Sequence, residues 1–256
     1  MNEPRPPSTE DRLKWREDPD QPVVLYQKWR DLLFVHWSFR PELIKPTLPE
    51  GLALDTFHNK AWVGVIPLFM KEVHPRFVPA VPVLSNFLEL NVRTYVLDKD
   101  GRPGVWFYSL DCNQPLAVAA ARMGYYLNYI QAKMQAEEGE GGMIDFRCTR
   151  SGTGKTSRFW YGGKGMAHFA EPGTLDFFLI ERYLLFSRDP ASGDIYCGRV
   201  HHAPYPLLKP NLAAFDPIMF ELNNLPIPDS PPDQIHFSPG VDVKIYALER
   251  CCELHL

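Results

Sequence analysis

A chain of 256 residues, 45% hydrophobic and 13% aromatic, can enclose a substantial core and is too apolar to stay disordered. Its net charge of -4, with Lys and Arg scattered rather than clustered, excludes the basic footprint that nucleic acid or anionic lipid requires. Five cysteines with no C-x-x-C and no zinc-type spacing exclude a disulfide framework or structural metal and predict free thiols.

Residues 1–21 are polar, carry Pro4, Pro6, Pro7 and Pro19, and read as a flexible arm rather than a secretion signal. No later stretch reaches the roughly 18 consecutive apolar residues of a membrane helix, so a cytoplasmic protein is expected. The remainder, 22–256, is expected to form one domain. Trp29 to Trp37 is apolar and aromatic and reads as a buried strand or a short helix. Pro41 suits the first turn of a short helix that Pro46 and Pro49 stop. Between Leu52 and Phe69, two apolar runs flank His58-Asn59-Lys60 and predict a hairpin.

The Pro-rich stretch from His74 to Ser85 reads as a surface loop leading to the most informative strand, Glu89 to Val96. Period two places Leu90, Val92, Thr94 and Val96 on one face and Glu89, Asn91, Arg93 and Tyr95 on the other. Asp98 to Gly104 is turn-forming, and Val105 to Asp111 returns as the partner strand. Pro115 opens an alanine-rich segment, Leu116 to Gln135, that reads as the one long helix, followed by a flexible Glu137 to Gly142. Strands are expected at Asp145 to Arg150 and Ser157 to Tyr161, and a short helix at Leu175 to Glu181 capped by Thr174. Tyr183 to Phe186 and Ile195 to His202 flank Asp189-Pro-Ala-Ser-Gly193 as another hairpin. Asn211 to Asn223 reads as a helix broken at Pro217, and Val241 to Leu248 as a closing strand. Many hairpins and one long helix predict an α+β fold, mainly β, whose antiparallel sheet curls or closes into a barrel.

Ser151-Gly-Thr-Gly-Lys-Thr156 carries the G-K-[ST] core of a phosphate loop. The motif also needs glycine at 149, where Thr149 stands, and a following helix, where β-prone residues stand. A glycine-rich β-turn is the better reading. No G-x-S-x-G elbow or H-E-x-x-H occurs. The Glu89, Asn91, Arg93 and Tyr95 face is either solvated or, in a closed sheet, the polar lining of a pocket. In the second case Glu89 and Arg93 lie close enough to hold a carboxylate and to perturb each other's pKa. His201 and His202 point to opposite faces of their strand, one of them an acid–base group or a wall residue, and His36 carries the same ambiguity. Glu181-Arg182-Tyr183 reads as an ion pair or as a pocket edge.

Five blocks are familiar in order and spacing: Asp31-Leu-Leu-Phe-Val-His-Trp37, Trp62-Val-Gly-Val-Ile-Pro-Leu-Phe69, Glu89 to Val96 with Gly104-Val-Trp-Phe107, Gly173 to Tyr183, and Val200-His-His202. Over about residues 22 to 250 they resemble the bacterial DUF2071, or YqjF-like, family. That family is similar to the acetoacetate decarboxylase superfamily, which implies a curled, cone-like barrel with flanking helices and an internal pocket. Acetoacetate decarboxylase forms a Schiff base through the first lysine of a Gly-x-Pro-Lys-Lys segment. The comparable stretch here is Gly124-Tyr-Tyr-Leu-Asn-Tyr129, with no lysine before Lys133, so the resemblance implies chemistry without a lysine imine. The expected ligand is a small carboxylate or carbonyl compound, met by Glu89, Asn91, Arg93, Tyr95, Arg182 and His201, with no cofactor. A lyase or hydrolase and a non-catalytic binding module remain alternatives, and homo-oligomers stay open.

Overall fold

The computed structural model describes residues 4–81 and 84–251. In chain order the elements are α1 (Thr9–Lys14), β1 (Leu25–Phe39), α2 (Pro41–Ile44), β2 (Ala53–Leu54), β3 (Ala61–Pro75), β4 (Phe87–Leu97), β5 (Pro103–Cys112) and α3 (Pro115–Tyr125). There follow β6 (Tyr129–Glu138), β7 (Ile144–Arg150), β8 (Thr156–His168), α4 (Leu175–Ile180), β9 (Leu184–Arg188), β10 (Ile195–His202), β11 (Leu207–Ala214), α5 (Ile218–Leu222) and β12 (Gln234–Arg250).

The strands form one curled 12-stranded sheet in the order β10-β9-β5-β6-β7-β8-β11-β12-β1-β3-β4-β2. Further pairings of β4 with β5 and of β10 with β12 close it on itself. Two rings result, sharing β12, β1, β3, β4 and β5; one is completed by β9 and β10, the other by β6, β7, β8 and β11. Neighbours are antiparallel except β5–β6 and β5–β9. The first of these is parallel because α3 carries the chain back between the two strands, the crossover that parallel pairing requires.

The shared strands act as a wall with an apolar core on each side. Leu32, Phe34, Ile66, Leu68 and Met70 face one core together with Phe177 and Phe178 of α4. Leu33, Val35, Val63, Val65, Leu90 and Val92 face the other, against Phe146, Phe159 and Tyr161. Bulges reset the alternation in this wall. Asp31 has φ 50° and Glu72 φ 48°, conformations rare outside glycine. The register of β4 on β5 slips one residue at Tyr108, since Val92 opposes Ser109 and Arg93 opposes Phe107. Phe107 and Leu110 therefore both turn toward the first core, although strict period two would separate them. Gly240 is required where β12 crosses β1: its φ is 128°, and a Cβ there would lie 2.1 Å from the Trp29 carbonyl oxygen.

The structure corrects several expected elements. The helix expected over 116–135 ends at Tyr125, where Tyr126 takes a left-handed cap (φ 50°, ψ 27°), and 129–135 belongs to β6. In β6, Ala132 and Met134 are buried while Lys133 and Gln135 are exposed, a period of two. Pairing along β7 outweighs the helix propensity of these residues. Only 218–222 of the helix expected at 211–223 is helical, and 211–214 belongs to β11, held in the sheet by β8. The turn at His58-Asn59 exists, with φ 49° and 58°, but β2 pairs with β4 rather than with β3. The N-terminal arm contains α1, opened by a reciprocal Ser8–Asp11 capping box. Ser151 to Gly154 is the turn joining β7 to β8, as expected. Cys112, Cys148 and Cys197 are buried thiols, and Cys251 is buried too. Cys252, with Pro82 and Val83 of the expected loop, lies outside the described residues. No described helix is long and apolar enough to cross a membrane.

Candidate functional site

Inside the first ring lies a cavity of about 250 Å³, just under the roughly 300 Å³ at which drug-sized ligand sites begin. Its walls are apolar, from Phe34, Ile66, Leu68, Met70, Phe107 and Tyr205 among others. α3 lies along one side: Ala117, Ala121 and Tyr125, spaced four apart on one helix face, line the space. The Tyr125 hydroxyl fixes that end by donating to the Tyr246 carbonyl (3.2 Å).

The charged groups in this lining are Glu89 and Arg93, with Asn91 between them on β4. Glu89 is 4% exposed; its Oε2 accepts from the Tyr129 hydroxyl at 2.6 Å, and its Oε1 lies 3.4 Å from Asn91 Nδ2. Burial raises its pKa to about 7, with nearby Asp111 adding to the rise and the Tyr129 and Asn91 hydrogen bonds opposing it. A carboxyl so placed exchanges a proton near neutral pH.

Arg93 is 8% exposed, with its guanidinium 5.6 Å from the Phe34 ring and 5.8 Å from the Tyr95 ring. Nη2 donates to the Leu179 carbonyl at the end of α4 (3.1 Å), while buried Nε has no hydrogen-bond partner among the described residues. No described carboxylate pairs with it. The other buried arginines are neutralised, Arg102 by Asp98 at 2.6 Å among them. Arg150 holds Asp111 through Nε and Nη2, both at 2.7 Å, and also reaches Ser109 Oγ and the Leu222 carbonyl. Arg182 reaches Asp55 at 2.8 Å. Arg93 stands four positions after Glu89, about 13 Å along the strand. Arg93 is accordingly not among the groups that set the Glu89 pKa, which corrects the expected mutual perturbation.

The sequence profile of DUF2071, described as an uncharacterised conserved protein, matches residues 26–242. The chain belongs to the DUF2071 family. It is 32% identical over 234 residues to the uncharacterised protein YqjF of Bacillus subtilis (strain 168), covering 91% of this chain and 94% of that one. Solved structures with the same fold include acetoacetate decarboxylase from Legionella pneumophila (TM-score 0.63, 12% identity, 98% of each chain covered). The enduracididine biosynthesis enzyme MppR complexed with pyruvate also matches (TM-score 0.60, 12% identity, 91% of this chain and 93% of that one). At these identities the likeness is one of fold.

In this DUF2071 chain the described lining contains no lysine, and Lys133 is exposed on β6. Of the residues singled out in the sequence, Glu89, Asn91 and Arg93 meet in the cavity and the other three do not. Tyr95 shares their strand face but is packed over by α4; its hydroxyl donates to the Leu179 carbonyl (2.7 Å) and contacts His36 Nε2 (2.7 Å). Since that hydroxyl proton is committed to Leu179, His36 Nε2 carries the hydrogen of this pair. His36 is fully buried, and burial, Arg93 and His236 hold its pKa well below the usual range, so it is a neutral wall residue. Arg182 is drawn away by Asp55 and by the Phe178 carbonyl (2.7 Å), its guanidinium stacked 4.2 Å from the Phe178 ring. His201 faces outward to the Arg16 carbonyl (3.1 Å), while the alternate position, His202, turns inward between Tyr183 and Tyr205.

Tyr129 escaped the sequence reading because it fell inside the over-long helix. Arg12 was hidden in the arm, yet it reaches Asp55 with two hydrogen bonds of 2.7 and 2.8 Å. No described group of three or more His, Cys, Asp or Glu side chains is arranged to hold a metal.

Proposed function

We propose that this protein takes up a small carboxylate or carbonyl compound in the β4 cavity, with Arg93 binding its anionic group and Glu89 exchanging a proton with it. The observation that carries this reading is Arg93, a buried cation in the cavity lining with no hydrogen-bond partner for Nε and no carboxylate partner among the described residues. An unpaired buried charge is costly, and an incoming carboxylate offsets that cost with charge-assisted hydrogen bonds. A neighbour in fold complexed with pyruvate supports the ligand class. Without a lysine in the described lining, an imine route has no nucleophile; Glu89, held by Tyr129, is the group suited to moving a proton next to a carbonyl.

Calorimetry with pyruvate, acetoacetate and longer-chain oxo acids, and proton NMR of their C–H exchange in D2O, test both parts, exchange being expected for acids long enough to reach from Arg93 to Glu89. Arg93→Gln is expected to weaken binding by about 1.5–3 kcal/mol, the scale of a hydrogen bond to a charge. Glu89→Gln is expected to keep binding and lose exchange. Equal affinity in wild type and Arg93→Gln would remove the anion site. A second reading, binding without turnover, draws on the fact that both Glu89 oxygens already contact protein donors; tight binding with no exchange in the wild type would select it.

A further inference from the structure

The cavity carries more information than the sign of its ligand's charge. Its cation, Arg93, lies at the α4 end, where Nη2 meets the Leu179 carbonyl; Glu89 lies toward β6, where it meets Tyr129. Ile66 and Leu68 of β3 pair with Asn91 and Glu89, and Phe107 of β5 pairs with Arg93, so apolar side chains flank the polar row; Phe34 and Met70 extend the apolar lining. Phe34, Ile66, Leu68 and Met70 belong to the lining, so a ligand that fills the cavity packs against them.

We infer that the ligand is a monocarboxylate with an unbranched or lightly branched apolar tail, its single anionic head on Arg93 and its tail against the β1–β3 side of the cavity. This rests on the carboxylate reading above. Each tail methylene leaves water for an apolar wall, which gains roughly 0.8 kcal/mol, or about a fourfold tighter Kd. A second carboxylate at the far end of the same tail would meet Glu89, itself an acid, and no cation, because Arg93 is the one arginine or lysine among the described lining residues. It would be buried unpaired. The site thus selects against dicarboxylates by charge and against the shortest acids by unfilled volume. Length is bounded as well: about 250 Å³ corresponds to roughly eight water volumes, so the gain stops once the tail fills that space.

Isothermal titration of the wild-type chain with propanoate, butanoate, pentanoate, hexanoate and glutarate decides the matter. The expected result is a Kd falling about fourfold per methylene up to a plateau, with glutarate at least about tenfold weaker than pentanoate. Met70→Ala, which enlarges the cavity, is expected to move the plateau to a longer acid; its melting curve confirms that it folds. A series that is flat or reversed, or glutarate matching pentanoate, while Arg93→Gln still weakens every acid, overturns the apolar-tail inference and leaves the carboxylate site standing. Absence of measurable binding by any of the acids, or binding indifferent to Arg93→Gln, overturns both.

Discussion

Two arginines buried in one sheet make different commitments, and their substitutions should move stability in opposite directions. Arg150 is saturated: removing its guanidinium leaves Asp111, fully buried, without a counter-charge, and Arg150→Met should lose about 3–5 kcal/mol. Arg93 neutralises nothing, and the Leu179 carbonyl it contacts keeps the Tyr95 hydroxyl as a donor. Arg93→Met should therefore gain stability in the unliganded chain, because it removes a buried charge that no described carboxylate neutralises. Urea unfolding at pH 7 measures both; a loss at Arg93 would make it a structural cap of α4. Glu89 supplies the pH-dependent counterpart. Its folded pKa of about 7 lies above the ordinary 4.5, so between these values the folded chain keeps a proton that the unfolded chain has released. Stability must then fall as pH rises through that window, by about 3 kcal/mol in all, and level off above it. Glu89→Gln lacks this loss and should gain about 3 kcal/mol on wild type between pH 5 and pH 8; parallel stability curves for the two proteins would contradict the buried neutral carboxyl.

Elements were legible in the sequence where one physical constraint dominated. β4 was readable because it has a core on both sides yet keeps its polar residues at alternate positions, and its burial bears this out from Glu89 to Val96. The α4 start was readable because Thr174 caps Phe177 N through its own side chain. Where two constraints competed, the local one misled. Residues 131–138 are mostly good helix formers, and what makes them a strand is the antiparallel ladder with β7, from Glu138 opposite Ile144 to Ala132 opposite Arg150, which residue propensity alone does not announce. Bulges hid part of the site in the same way. Phe107 and Leu110 line one cavity only because Tyr108 is an extra residue against β4, and nothing in Val105 to Asp111 announces that slip. His201 was chosen over His202 for a related reason: either parity was open until the β10–β12 register, with His202 opposite Val243, decided which side faces in. The arm was read as featureless because the Ser8–Asp11 box is short; the ion pair of Arg12 with Asp55, 43 positions on, is a tertiary fact.

At the scale of the molecule, the wall built from β12, β1, β3, β4 and β5 belongs to both rings, so neither core can open without losing a boundary of the other. Leu68 faces the cavity-side core and Leu90 the opposite one, on β3 and β4, which pair along their length. Each is nearly inaccessible, at 2% and 0% exposure, and replacing either by alanine should cost about 2–5 kcal/mol. If the wall couples the cores, Leu68→Ala and Leu90→Ala each lower a single transition, and far-UV dichroism and tryptophan fluorescence report the same midpoint. Trp62 in the first core and Trp37 in the second make the fluorescence sensitive to both sides. A biphasic curve, with one variant lowering only one phase, would mean that the cores unfold separately. Coupling also bears on the cavity: β4 presents Glu89 and Arg93 on one face while Leu90 and Val92 anchor it from behind. The packing of the second core thereby fixes where the two charges stand, and Leu90→Ala should weaken carboxylate binding although Leu90 never reaches the cavity.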